Sequence, residues 1–178
     1  MAAMSGWSVA VLTAASALWL ASGVERERPV LSIGASESLE RLEAQVAAHP
    51  ENALALRDLA QSYMEAHAPG LALGLIQHAP AVVRADARVD HAYARALLDQ
   101  GRAEDALAVE RRVLEACDSR EAGHDSKGCD TWLIASATRR ADILRELVQL
   151  GVEDAQAHPE ASAIAYQNAT REARIAVE

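Results

Sequence analysis

Apolar residues recur at helical spacing along most of the chain after about residue 36. Leu56, Leu59 and Tyr63 follow one another at intervals of three and four positions, and Tyr93 and Leu97 repeat the second interval further on. This spacing places apolar residues on one face of a helix, whereas no useful length of sequence alternates apolar and polar residues as a strand does. The pattern therefore predicts an all-α fold.

Within this helical pattern, one stretch is repeated between residues 53 and 118. Ala60 corresponds to Ala94 and Ala72 to Ala106, and each pair is 34 positions apart (94 − 60 and 106 − 72). Two antiparallel helices need a small residue where their axes come closest, so we expect these alanines at the contacts within each helix pair. Gly101 marks the turn within the second pair, and Pro69-Gly70 marks the turn within the first.

The period and the small residues resemble the tetratricopeptide helix–turn–helix unit over about residues 36–118. The resemblance implies a short helical-repeat solenoid of two full units plus a partial one, with a concave surface that binds another protein. The second unit departs from the family's pattern at two places. Asp90 stands where the family has a large aromatic residue, and Glu110 stands at a normally apolar position.

The carboxy-terminal part of the chain leaves the 34-residue register. Residues 119–130 are polar and predict an exposed loop, after which Asp130 is a good cap for a helix from Thr131 to about Leu150. Gly151 suits the end of that helix and Pro159 the first turn of a last one. We expect residues 131–178 to form a helical hairpin that closes the stack of repeats.

The amino-terminal segment indicates the compartment. Residues 1–24 carry no charged side chain and are long enough to cross a bilayer, which takes roughly 20 apolar residues. Trp7 and Trp19 would then lie near the two membrane interfaces. A cleaved signal segment is the alternative, because small residues stand at 21–23, and a buried helix of the globular domain is a third reading. Either export reading places the repeats outside the cytoplasm, as a membrane-anchored protein facing the periplasm or as a secreted one.

A charged, proline-containing linker is expected at residues 25–35, before the first unit. Ser36 is a good N-cap for a helix that runs to about residue 48, and this helix would form the partial unit.

Composition adds two further indications. A net charge of −9 and a pI near 5.1 argue against a nucleic-acid partner, whose binding needs a basic face. Arginine replaces lysine almost throughout, with Lys127 the single lysine, which is typical of GC-rich bacterial genomes.

Two cysteines bracket the polar loop. In an oxidising compartment Cys117 and Cys129 predict a disulfide, which would tie the last repeat to the long carboxy-terminal helix. Two unlinked thiols are one alternative. The other is a metal or redox site that includes His124, although the spacing Cys-x6-His-x4-Cys matches no common zinc motif.

The resemblance also implies which side chains line the inner surface. Five polar residues on the first helices of the two units fall at these positions, and we take them as the partner-binding set: Arg57, Gln61, Arg88, His91 and Arg95. Arginine binds carboxylates through two parallel hydrogen bonds, so an acidic segment or a free carboxyl terminus is the expected ligand. The alternative is that these arginines pair with neighbouring acids such as Asp86 and Asp99.

No motif of a catalytic nucleophile and no glycine-rich phosphate loop is present in the sequence. The sequence thus predicts a protein without catalysis or cofactor: a membrane-tethered, extracytoplasmic scaffold or adaptor that holds another protein in its repeat groove. A metal or redox protein centred on Cys117, His124 and Cys129, or a purely structural helical domain, remains the alternative.

Overall fold

The computed structural model describes residues 33–121 and 129–175, and it describes side chains at 37–118 and 129–171. These residues belong to one compact unit, Leu31–Glu178. The expected anchor at 1–24, the linker at 25–35 up to residue 32, and most of the expected loop at 119–130 lie outside the described residues.

The described residues form eight α-helices and no strand, so the prediction of an all-α fold is confirmed. The helices are, in chain order, α1 (Ile33–Ala48), α2 (Ala53–Glu65), α3 (Pro69–His78), α4 (Ala81–Arg84), α5 (Ala87–Asp99), α6 (Ala103–Glu121), α7 (Thr131–Gln149) and α8 (Pro159–Ile175).

Consecutive helices pack in pairs, and each pair packs on the next. Helix α2 pairs with α3, α5 with α6, and α7 with α8. Helix α5 also contacts α2, α3 and α7, while α6 packs along α7 and α1 packs on α2. The first helices of the three pairs are therefore neighbours, and this arrangement decides which side chains can meet at one site.

The four repeated alanines are fully buried. Ala60, Ala72, Ala94 and Ala106 each expose 0% of their surface. Larger apolar side chains surround them, and Leu56, Leu97 and Leu144 are among those almost wholly excluded from solvent. The small residues thus lie where neighbouring backbones approach, as their spacing predicts.

Several helix boundaries differ from the sequence-based expectation. Helix α1 begins at Ile33, so Ser36 lies inside its first turn and is not its N-cap. The turn between α2 and α3 is formed by residues 66–68, with His67 in the left-handed region at φ 54°. Pro69 is the first residue of α3 and does not break a helix, because its missing N–H is not needed there.

The later turns and caps agree with the prediction. Gly101 (φ 71°) and Gly151 (φ 69°) both adopt the left-handed conformation after a helix. Asp130 Oδ1 accepts a hydrogen bond of 2.7 Å from the Leu133 N–H, and it thereby caps α7. The prediction of a loop at 119–130 was wrong at its start, because helix α6 runs on to Glu121. The short helix α4 was not predicted.

The disulfide between Cys117 and Cys129 is confirmed. It joins the buried Cys117, one turn before the end of α6, to the residue that precedes the cap of α7, and the two Cα atoms lie 5.5 Å apart. In the described ranges, no helix is both long and apolar enough to cross a membrane. The expected anchor lies outside those ranges.

Candidate functional site

The first helices of the three pairs surround one cavity of about 430 Å³. All five residues of the predicted partner-binding set line this cavity, together with residues of α7 and its cap. We call it the α2/α5/α7 cavity, and its lining consists of Arg57, Gln61, Met64, Arg88, His91, Ala92, Arg95, Asp130, Trp132, Leu133, Ser136 and Arg140.

Two of the lining arginines are paired with neighbouring acids. Arg57 Nη2 lies 2.6 Å from Asp58 Oδ1, and Arg88 Nη2 lies 2.8 Å from Asp86 Oδ2. The hydrogen bonds to Asp86 raise the pKa of Arg88, against the opposing effect of burial. Pairing with a neighbouring acid, which the sequence left as the alternative, thus holds for Arg88 with the expected Asp86 and for Arg57 with Asp58.

Arg95 differs from its neighbours. Among the described residues it forms no ion pair within 4 Å, although it lies near enough to Asp99 to affect that carboxyl group. Burial raises the pKa of Asp99, and Arg95 and Arg140 oppose this rise. Arg95 is therefore the lining cation whose hydrogen-bond donors are available for a ligand.

His91 is not on an open surface. Its position on the inner face of α5 predicts an accessible side chain, but only 6% of it is exposed, because α7 covers that face. Its Nδ1 lies 2.9 Å from Glu110 Oε1, and its Nε2 lies 3.0 Å from Ser136 Oγ. The expectation of a solvent-accessible His91 was wrong, and the ring instead connects three helices.

Glu110 is fully buried beside His91. Arg140 Nη1 donates to Glu110 Oε1 at 2.8 Å and to the backbone oxygen of His91 at 2.8 Å. Burial lowers the pKa of Arg140, and the charge of Glu110 counteracts this effect. The unusual acidic residue at an apolar repeat position is thus half of a buried ion pair, because an unpaired carboxylate could not remain in the core.

Trp132, Ser136 and Arg140 extend the site beyond what the sequence indicated. Trp132 is 71% exposed, and its ring stands edge-on to His91 with the ring centres 6.4 Å apart. These residues belong to α7, whose place outside the 34-residue register gave no reason to put it beside the groove. The one sequence feature that could have indicated the role of α7 was Trp132, a large aromatic residue in the first turn of this helix.

A metal site receives no support from the part of the chain that the structure describes. No group of three or more histidine, cysteine or acidic side chains there could hold an ion. Both cysteines are bonded to each other, and His124 lies outside the described residues.

Comparisons with known proteins do not place the chain in a family. Searches against protein-family models, curated proteins and solved structures returned no significant match.

Proposed function

We propose that this protein is an adaptor of the tetratricopeptide type, which holds a partner protein by an acidic segment or a free carboxyl terminus in the α2/α5/α7 cavity. The observation that carries the proposal is the position of Arg95. It lines a cavity large enough for a peptide end, and among the described residues it has no acid within ion-pair distance.

The surroundings of Arg95 favour an anionic ligand. Arg57 lies in the same cavity, and its partner Asp58 is exposed enough for a ligand carboxylate to compete for the guanidinium. Arg88 is held more firmly, because Asp86 receives hydrogen bonds from both its side chain and its backbone N–H. We therefore expect Arg95 to contribute most to binding, Arg57 less, and Arg88 least.

The rest of the lining suits the apolar part of a peptide. Trp132 presents an exposed ring beside the arginines, while the lining residues Met64 and Leu133 are buried. Exposed aromatic residues next to arginine are typical of binding hot spots. A short peptide with a carboxylate and one apolar side chain fits this combination.

The test uses a library of acidic pentapeptides with free carboxyl ends, immobilised through their amino ends, and amidated copies of the same peptides. The variant R57E/R95E should lose binding to the best peptide by at least tenfold, because a desolvated charged contact typically contributes about 2–5 kcal/mol. Binding by the natural protein should weaken with added salt.

Arg111→Glu is the matched control, because Arg111 is exposed on α6 and outside the cavity lining. It reverses one arginine charge on the same fold, outside the cavity, and should leave binding unchanged. Equal affinity of R57E/R95E and the natural protein, with both folded by circular dichroism, would place the binding surface elsewhere. Binding by no peptide at all would leave the purely structural role.

The same proposal includes a location outside the cytoplasm, with residues 1–24 as the tether. Its support is the uncharged run at 1–24 together with the cysteine pair, since disulfides persist mainly in oxidising compartments. The state of the two thiols in cells is the measurement that decides it.

A further inference from the structure

Three side chains that lie far apart in the sequence form a continuous hydrogen-bonded chain at the cavity wall. Ser136 of α7, His91 of α5 and Glu110 of α6 meet, with 3.0 Å between Ser136 Oγ and His91 Nε2. On the other side of the ring, His91 Nδ1 lies 2.9 Å from Glu110 Oε1 and 3.0 Å from Oε2. Ser136 and His91 both line the cavity, so the chain ends at a hydroxyl that a ligand can reach.

The partners of Glu110 decide the tautomer of His91. Glu110 receives a hydrogen bond from the Arg140 guanidinium, which keeps the group a carboxylate and therefore an acceptor. His91 Nδ1 must then carry the proton and donate a hydrogen bond to Glu110. The Nε2 atom is left with a lone pair, which accepts a hydrogen bond from the Ser136 hydroxyl. The 3.3 Å contact between Arg140 Nη1 and His91 Nδ1 then joins two donors and is not a hydrogen bond.

We propose that Ser136 is the nucleophile of an esterase site, with His91 as its general base and Glu110 as the group that orients His91. Serine–histidine–acid constellations arise on unrelated folds and are recognised by geometry and roles, not by sequence position. The sequence could not reveal this one, because positions 91, 110 and 136 share no local motif. The expected substrate is a carboxylic ester that carries a negative charge, a preference that rests on the proposed anion binding by Arg95.

The reaction balances without a cofactor. Ser136 Oγ forms a bond to the ester carbonyl carbon while its proton moves to His91 Nε2, and Glu110 stabilises the resulting imidazolium through Nδ1–H. The carbon–oxygen bond to the alcohol then breaks, and the alkoxide takes the proton from His91. A water molecule attacks the acyl–serine ester in the same way, which releases the carboxylic acid and restores the Ser136 hydroxyl.

In the tetrahedral intermediate, the former carbonyl oxygen carries a negative charge. Cationic side chains of the cavity can offset this charge, but the backbone around Ser136 offers no oxyanion hole. This residue lies inside α7, where backbone N–H groups are bonded within the helix. Arg95 is the lining cation without an ion pair among the described residues, and it can offset the negative charge on the former carbonyl oxygen. Arg140 acts in the opposite direction, because its charge disfavours a second cation at His91. We therefore expect slow turnover of activated esters.

The test separates the nucleophile from any substrate preference. The folded, full-length protein is incubated with a neutral alkyl fluorophosphonate, which forms a phosphorus–oxygen bond to an activated serine and releases fluoride. Peptide mass spectrometry should locate the adduct on Ser136. Heat-denatured protein should give no adduct, because the hydrogen-bonded chain of Ser136, His91 and Glu110 is then lost.

Two variants make the result specific. Ser136→Ala should abolish labelling, whereas Thr138→Ala should leave it unchanged, since the Thr138 hydroxyl donates to the Ile134 backbone oxygen on the same helix. His91→Gln should slow labelling by at least about 100-fold if His91 is the base. Absence of an adduct on Ser136 in folded natural protein, or equal labelling of Ser136 after denaturation, would overturn the proposal. The outcome is independent of the peptide-binding test, because the probe carries no charge.

Discussion

At the scale of single residues, Glu110 shows how a sequence irregularity becomes a structural requirement. A carboxylate without solvent contact would be very costly unless it had charged and hydrogen-bonding partners. Glu110 has both, since Arg140 and His91 bond to its two oxygens. The position is apolar in the repeat pattern, yet a polar network here connects α5, α6 and α7 with no buried polar side-chain atom left unbonded in the described residues.

Replacing Glu110 tests how much the network depends on this residue. Glu110→Ala should lower the free energy of unfolding by about 3–5 kcal/mol, because it leaves the largely buried Arg140 without its partner. Arg111→Ala, at the next position and exposed, should change it by less than about 0.5 kcal/mol. Urea unfolding followed by circular dichroism measures both. A loss below about 1 kcal/mol for Glu110→Ala would show that the pair contributes little.

His91 marks the limit of residue-scale prediction. The resemblance to the repeat family predicted its face, and His91 does line the same cavity as Arg57, Arg88 and Arg95. Its burial could not be predicted, because the covering helix α7 follows about 40 positions later and its placement depends on long-range packing. For the same reason the sequence could not predict that Ser136 and Arg140, which belong to that helix, line the cavity.

At the scale of helices, the sequence predicted a helix correctly where its apolar residues were strongly periodic or its first residues formed a recognisable cap. It failed to predict helices in short or polar segments. Helices α7 and α8 begin where Asp130 and Pro159 predict. Helix α4 has four residues, too few to show a period. The residues that extend α6 beyond Cys117 are polar and mostly charged, and for that reason the sequence predicted a loop there. Charged residues of this kind form helix readily when their face is solvated, so composition alone misplaced that boundary.

Two glycines provide a matched test of the helix connections. Gly101, between α5 and α6, has φ 71°, and a Cβ there would lie 3.0 Å from the Asp154 Cβ. Gly101→Ala should therefore cost about 1–2 kcal/mol of stability from the backbone conformation alone. Gly74→Ala should instead stabilise by about 0.5–1 kcal/mol, because Gly74 lies inside α3 with nothing within 4 Å of the added atom.

Chemical denaturation of both variants distinguishes the two effects. The difference between them matters more than either value, since both substitutions add the same methyl group. If Gly101→Ala were as stable as Gly74→Ala, the left-handed turn at 101 would not be required by the fold.

At the scale of the whole molecule, the sequence sufficed for the fold class and for one disulfide, but not for the composition of the site. The spacing of apolar residues is a local property that survives into the structure, so the all-α architecture and the buried alanines followed from it. The cavity is assembled from α2, α5 and α7, and only two of these carry the repeated pattern. The third contributes Trp132, which nothing in the repeat predicts.

The disulfide makes predictions about both the compartment in which the protein resides and the stability of its fold. Protein taken from its native compartment, with thiols blocked during lysis, should carry the Cys117–Cys129 bond when analysed by non-reducing mass spectrometry. Cys129→Ser should lower the free energy of unfolding by roughly 3 kcal/mol, because the bond restricts a short loop in the unfolded chain. Reductant should destabilise the natural protein by a similar amount and leave the variant unaffected. Free thiols in the isolated protein would contradict the proposed location outside the cytoplasm.

The position of Trp132 makes the cavity optically observable. The chain has three tryptophans, and the other two, Trp7 and Trp19, lie in the segment at 1–24. Replacing those two by phenylalanine leaves a single indole, which is largely in water at the edge of the cavity. Any ligand that covers this ring moves its fluorescence emission to shorter wavelength. The protein therefore contains its own spectroscopic probe, and neither a bound peptide nor an acylated serine needs a label to be followed in real time.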